Sequence, residues 1–243
     1  METQVDEIAE RIYRISTYVD MGPGLTFNQF LIDAEEPLLF HTGFRHMFPA
    51  VSAAVARIVP LERLRWVSFS HLEADESGAM NEFLAAAPNA EILHGQIGGL
   101  ISLNDLADRA PRILANDEVL ELGAGHRVRL LATPHVPHSW DAIMLFEEST
   151  RTLFSSDLFT QFGPAPVSTD QDILGPAVAA ETAFPSAAIT PLAVPTMHRL
   201  GGLNARTLAL MHGPAYSGDC AAAFGALAQD YQHRLETMLA TQP

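Results

Sequence analysis

The stretch from Ser70 to Met80 concentrates chemistry, with His71, Glu73 and Asp75 at alternating positions and Glu76 directly after them. Imidazoles and carboxylates are the donors that hold first-row divalent metals. The competing reading is a charged turn ahead of a helix, where acidic groups complement the positive end of the helix dipole. Donors elsewhere in the chain decide between the two. His138 follows a hairpin pattern, Asp157 follows a second one, and His212 follows the last apolar run before the closing helix. Residues at the C-terminal ends of strands converge in folds that mix strands and helices. Gathered without a cation, Glu73, Asp75, Glu76 and Asp157 would repel one another. Two metal ions about 3.5 to 4 Å apart would hold them, and Asp157 is the natural bridge because one carboxylate spans that distance.

Holding these groups requires strands that end where the donors begin. Residues 9 to 19 mix Ile12, Tyr13, Ile15 and Tyr18 with polar neighbours and predict an edge strand entering a Gly22-Pro23-Gly24 turn. Residues 26 to 33 and 38 to 40 continue an antiparallel meander that stops at His41. Helical spacing of apolar groups over 48 to 59 ends at Pro60. Residues 64 to 69 form a buried strand that delivers Ser70 and the donors, 77 to 87 a helix, and 90 to 93 a strand ending at His94. Residues 119 to 122 and 127 to 131 flank a Gly-rich hairpin turn, and 141 to 146 pair with 153 to 155. Residues 160 to 176 read as a long loop, a lid or an interface. Helices over 175 to 183 and 191 to 200, a strand over 207 to 211 and a helix over 220 to 239 complete the chain. No fixed-period repeat is present, but strands and helices recur in two similar halves, which predicts two sheets packed face to face with helices outside.

The composition bounds the rest. At 243 residues and 48% hydrophobic content the chain can bury a full core, and one domain over residues 1–243 is the simplest organisation. No secretory leader is seen and no apolar run approaches the roughly 18 residues of a membrane span, so a cytoplasmic protein is expected. Cys220 is the single cysteine, which excludes an intrachain disulfide, a thiolate zinc cluster and a cysteine-ligated iron–sulfur centre. All 14 basic residues are arginine, so a lysine Schiff base and a Walker phosphate loop are excluded. A formal net charge of -15 argues against nucleic acid as a partner, because binding it requires basic surface.

Five stretches, in order, resemble one family. His71 to Gly78 resembles the His-x-Glu-x-Asp-His-Ser-Gly of the flavodiiron (A-type flavoprotein) oxygen and nitric oxide reductases, a branch of the metallo-β-lactamase fold. His138-Ser139-Trp140-Asp141 resembles their His-Trp-Pro-Asp, and Leu153 to Phe159 their Leu-Phe-Ser-x-Asp-x-Phe-Gly. Met211 to Pro214 resembles Ser-His-Gly-Pro, and Thr26 to Leu31 resembles Thr-Tyr-Asn-x-Tyr-Leu. The resemblance implies an αββα sandwich of two mixed sheets flanked by helices. It assigns one iron to His71, Glu73 and His138 and a second to Asp75 and His212, with Asp157 and an oxo or hydroxo group bridging them. Glu76 stands where the family has histidine, so the second iron either gains a carboxylate or loses a ligand. His135 is the alternative to His138, and His41, His94 and His135 are candidates to support the ligands. Zinc and manganese are the alternative metals. Zinc hydrolases of this fold place histidine where this chain has Glu73, and the harder donor set suits iron or manganese. His46, His126, His198 and His233 are expected to be solvated or capping, and Phe27, Phe44, Phe159 and Phe162 to be packing.

The resemblance implies a non-haem diiron protein that binds and reduces dioxygen or nitric oxide. Two ferrous ions supply two electrons, so reduction of dioxygen to water needs an external donor. The family carries a fused flavodoxin domain. No flavin domain is expected in this chain, so a separate flavodoxin- or rubredoxin-like donor is. A carrier or sensor of these gases without turnover is the second reading, and a metal-dependent hydrolase is the third. Reductases of the family pair head to tail, which makes a homodimer a further expectation.

Overall fold

The computed structural model describes residues 2–240. Seven strands form the first sheet: β1 (Thr3–Ala9), β2 (Ile12–Val19), β3 (Leu25–Ile32), β4 (Leu38–Phe40), β5 (Trp66–Ser68), β6 (Glu91–Gly95) and β7 (Arg112–Leu114), in that spatial order. The first four are an antiparallel meander, and β4 to β7 run parallel. A second sheet holds β8 (Val119–Gly123), β9 (His126–Ala132), β10 (Ile143–Glu147), β11 (Thr152–Phe154), β12 (Ser168–Thr169), β13 (Thr207–Ala209) and β14 (Ala215–Tyr216). Its order is β12-β14-β13-β11-β10-β9-β8. It too begins as an antiparallel meander and turns parallel where β11 meets β13.

Helices cover the outer faces. On the first sheet lie α1 (Phe48–Val55), α2 (Ala74–Ser77), α3 (Met80–Ala86), α4 (Gln96–Gly98) and α5 (Asn104–Leu106), the last two joined by a π-helical turn. On the second lie α6 (Leu174–Ala183), α7 (Ala193–Gly201) and α8 (Cys220–Ala240). Phe30, Phe40, Leu93, Leu130, Leu145 and Phe154 form a core between the sheets, and separate apolar clusters fill each sheet-to-helix interface. Each such buried side chain contributes about 1.5–3 kcal/mol. This is the expected αββα sandwich of two mixed sheets flanked by helices.

Three local expectations are corrected. The strand over 12–19 is interior, and the edge is β1, which lay unread because its polar, half-buried face shows little alternation. The segment over 160–176 is not featureless: it contains β12, which pairs with β14, and the start of α6. His126 is buried rather than solvated, with Nδ1 3.2 Å from the Glu147 carboxylate. Among the described residues, no helix is long and apolar enough to cross a membrane.

Candidate metal centre

The loop after β5 presents donors in an order set by backbone geometry. Glu73 is extended (φ −123°, ψ 156°) and immediately precedes α2. Its N–H donates to His71 O at 3.0 Å, closing a three-residue turn at Leu72 that brings Glu73 back beside His71. Its carbonyl, not its carboxylate, receives the first turn of α2, from Ser77 N at 2.8 Å and Ser77 Oγ at 2.8 Å. The side chain is therefore released from capping. Asp75 and Glu76 lie in the first turn of the helix, where successive side chains point about 100° apart. They accordingly face different partners.

Four of these residues, His71, Glu73, His138 and Asp157, each bring one donor atom within 4.8 Å of the others. The two imidazole Nε2 atoms of His71 and His138 lie 2.9 Å apart, and Glu73 reaches both rings at 3.4 Å. Asp157 Oδ2 lies 3.5 Å from His71 and 3.3 Å from His138. Its other oxygen, Oδ1, lies 3.4 Å from His212 Nε2, which also lies 3.4 Å from Asp75. One carboxylate thus divides its two oxygens between two groups of donors. Among the described residues no arginine pairs with them; imidazoles and carboxylates converge on one space. That donor set fits two cations, and Asp157 Oδ1 is buried without a hydrogen bond in the protein.

The electrostatics express the same convergence. Burial lowers the affinity of His71 for a proton, but the carboxylates of Glu76, Glu73 and Asp157 outweigh it and hold the ring at about 10. Burial is likewise overcome at His212, raised to about 10 by Asp157 and Asp75. His138 is also raised, by Glu73 and Asp157 against its own burial. Hydrogen bonding to His138 and His71 lowers Glu73 to about 2. Asp157 is driven well below the usual carboxylate range by the three histidines, again against burial.

Glu76 does not join these donors. Its carboxylate is fully buried on the far side of the His71 ring, where it accepts from Ser70 N at 3.1 Å, His71 N at 2.8 Å and Ser70 Oγ at 2.5 Å. Behind it stands His41, with Nε2 3.4 Å from Glu76 Oε1 and its affinity for a proton lowered by burial to about 3. His94 lies deeper, its ring tilted against Phe69 and its affinity for a proton lowered to about 4, chiefly by burial. His135 donates its backbone N–H to Ser139 O at 2.7 Å in the turn that presents His138; among the described residues no contact joins its ring to the donors.

Several groups support the donors that the sequence did not assign to the site, although Thr26, Phe27, Asn28 and Ser156 lie within the resembling stretches. The Thr26 carbonyl accepts from His212 Nδ1 at 2.9 Å, and Phe27 packs edge-on against that ring at 5.2 Å. Asn28 Nδ2 donates to Leu210 O and Gly213 O, both at 2.8 Å, and the buried Arg14 guanidinium adds a bond to Gly213 O at 3.1 Å. Together these pin the loop that carries His212. Ser156, beside Asp157, shares a 2.6 Å hydrogen bond with Ser70 Oγ; adjacency to two donors was the available clue. Backbone strain gathers here as well, with His41, Ser156 and Phe159 at positive φ (66°, 54° and 63°).

The donors open onto a cavity of about 190 Å³ whose remaining wall is mainly apolar, including Leu158, Phe159, Phe162 and Leu227. Phe159 and Phe162 thus line the cavity as well as pack. Tyr231 and an Arg234–Asp230 ion pair at 2.6 Å also line it.

Known proteins share this fold and part of this sequence. A diflavin flavoprotein of Synechocystis sp. is 26% identical over 148 residues, covering 60% of this chain and 25% of that protein. An anaerobic nitric oxide reductase flavorubredoxin of Pectobacterium carotovorum is 28% identical over 142 residues, covering 57% of this chain and 28% of that protein. The chain therefore spans about a quarter of the length of these relatives. Among solved structures, a metal-soaked flavodiiron core from Synechocystis sp. superposes with a TM-score of 0.81 at 19% identity, over 95% of this chain and 60% of that one. The rubredoxin oxygen:oxidoreductase of Desulfovibrio gigas superposes with a TM-score of 0.76 at 20% identity, over 96% and 62%. The profile of one family, described as ODP family beta lactamase, matches residues 25–213, and the chain belongs to that family.

Proposed function

We propose that this chain is a non-haem diiron protein that binds dioxygen or nitric oxide and reduces it with electrons from a separate donor. The observation that carries the reading is the division of Asp157, one oxygen toward His71 and His138 and the other toward His212. His71, Glu73 and His138 would hold one iron, Asp75 and His212 the second, and Asp157 both. Bound ferrous ions would supply two electrons and the positions at which a diatomic gas binds. Glu73 supports iron over zinc, because a carboxylate in place of a histidine makes the donor set harder. The relatives' names, a nitric oxide reductase and an oxygen:oxidoreductase, point to the same chemistry. A flavodoxin- or rubredoxin-like protein is the donor this reading requires.

The protein's own contribution is placement and shielding. Buried neighbours fix the imidazoles, so the donors need little rearrangement to accept metal. The apolar wall limits water at the site and favours entry of an uncharged gas. The test is metal analysis of protein purified under iron-replete, anaerobic conditions, followed by an oxygen electrode with a reducing flavoprotein present. About two irons per chain and sustained dioxygen or nitric oxide uptake are expected. Uptake that stops at a stoichiometric amount would replace reductase by carrier or sensor. Stoichiometric zinc with phosphodiesterase or lactonase activity would overturn the iron reading.

A further inference from the structure

We infer that Glu76, at the position where the resembling reductases carry a histidine, is a positioning residue for His71 and not a ligand of the second metal. Its carboxylate lies 3.3 Å from His71 Nδ1, while Nε2 of the same ring faces Glu73, Asp157 and His138. The Ser70 hydroxyl, 3.2 Å from the same Nδ1 and 2.5 Å from the Glu76 carboxylate, stands between them, and a ring whose Nδ1 side is held by such a group presents Nε2 as the donor, in a fixed tautomer and orientation. The inference rests on the reading of His71 as a metal ligand.

The carboxylate is not free to turn toward the cavity. It accepts the backbone N–H groups of Ser70 and His71, at 3.1 and 2.8 Å, and the Ser70 hydroxyl at 2.5 Å. Ser156 Oγ adds a contact at 3.3 Å, and His41 Nε2 closes the far side at 3.4 Å. Swinging Glu76 into the cavity would leave two buried amides without acceptors. Helix geometry acts in the same direction, since Asp75 occupies the cavity-facing position of the turn and Glu76, the next residue, is rotated away from it. Asp75, His212 and Asp157 are then what the described residues offer the second metal, and Glu76 serves the first.

The test compares Glu76→Ala and Glu76→Gln with the wild type, using two readouts. In competition with ferrozine under anaerobic conditions, Glu76→Ala is expected to weaken ferrous iron binding about 10- to 100-fold, the usual cost of losing a group that orients a ligating histidine. Glu76→Gln, which keeps an acceptor oxygen for Nδ1–H, should retain more of it. In cobalt(II)-loaded protein, the exchangeable Nδ1–H resonances of ligating histidines are shifted and resolved by proton NMR. Glu76→Ala should expose that of His71 to rapid solvent exchange and leave that of His212 protected. If the variant instead disturbs the His212 resonance and leaves that of His71 protected, Glu76 is a ligand of the second metal and the inference is wrong. Wild-type affinity and an unchanged spectrum in Glu76→Ala would overturn it equally. Circular dichroism of both variants separates loss of fold from loss of positioning. Failure of the diiron reading itself would appear in the wild type, as a metal count below two with no His71 signal, before any variant is compared.

Discussion

His71 and His212 approach Asp157 through different oxygens, and the second ring nitrogen of each faces a different kind of group. Behind His71 stands a buried carboxylate, Glu76, itself enclosed by Ser70, Ser156 and His41. Behind His212 stands the backbone carbonyl of Thr26 on β3, with the Phe27 ring against the imidazole face. A carboxylate raises the basicity of the histidine it holds, whereas a carbonyl orients the ring without adding charge. The two sides therefore differ in donor strength although both present Nε2. They differ in anchoring too: the Glu76 carboxylate holds the His71 loop by two backbone N–H groups, while Asn28 and Arg14 donate to a backbone carbonyl of the His212 loop. Three measurements bear on this contrast.

The largest effect is expected at the carboxylate the two sides share. Asp157→Asn keeps the shape but removes the charge, and ferrous iron affinity should fall more than about 100-fold at both positions, beyond the range that supporting partners cost. Iron analysis after desalting reads this directly. A variant that keeps one full equivalent would show that Asp157 serves one side only.

An intermediate effect is expected from pH. In metal-free protein His71 and His212 both hold a proton up to about 10, and metal must displace both. Titration at neutral pH should release about two protons per chain, and affinity should fall as pH falls. Fold stability without metal runs the other way at high pH. A histidine raised from 6.5 to about 10 stabilises the fold fully below 6.5, and that contribution is lost as pH rises through 10. Glu73, lowered from 4.5 to about 2, contributes above 4.5 and loses that contribution as pH falls through 2. Thermal melts of metal-free and loaded protein at pH 6 and pH 9 should diverge, with the benefit of metal larger at pH 9. An equal benefit at both would contradict the protonated state of the imidazoles.

The smallest effect concerns the His212 side alone. Phe27→Leu removes an edge-to-face contact and some packing, at a cost of about 1 kcal/mol, or about 2–4 °C in Tm. The cobalt(II) resonances of His212 should shift while those of His71 stay. Movement of both sets would mean that the two sides are coupled more tightly than their separate anchors imply.

How far the sequence could be read depended on how local each interaction is. Residues 48 to 55 and 220 to 240 carry helical apolar spacing of their own, and they form the helices that spacing predicts. β7 and β14 are three and two residues long, too short for a period, and exist because a longer neighbour offers hydrogen bonds. His126 was misread for a related reason: Glu147, which buries it, lies 21 residues away.

The same division runs through the candidate site. Residue types and their places after strands were enough to single out His71, Glu73, Asp75, His138, Asp157 and His212, because strand ends sit on one rim of the sandwich and the donors are chemically distinctive. Sequence could also state the question posed by a glutamate in place of a histidine. It could not orient that side chain. The direction of Glu76 depends on a helical turn beginning at Ala74, on two amides of the preceding loop, and on Ser156 and His41 arriving from β11 and β4. His41 comes from the neighbouring strand and Ser156 from the other sheet, and only the packed sandwich brings them to Glu76.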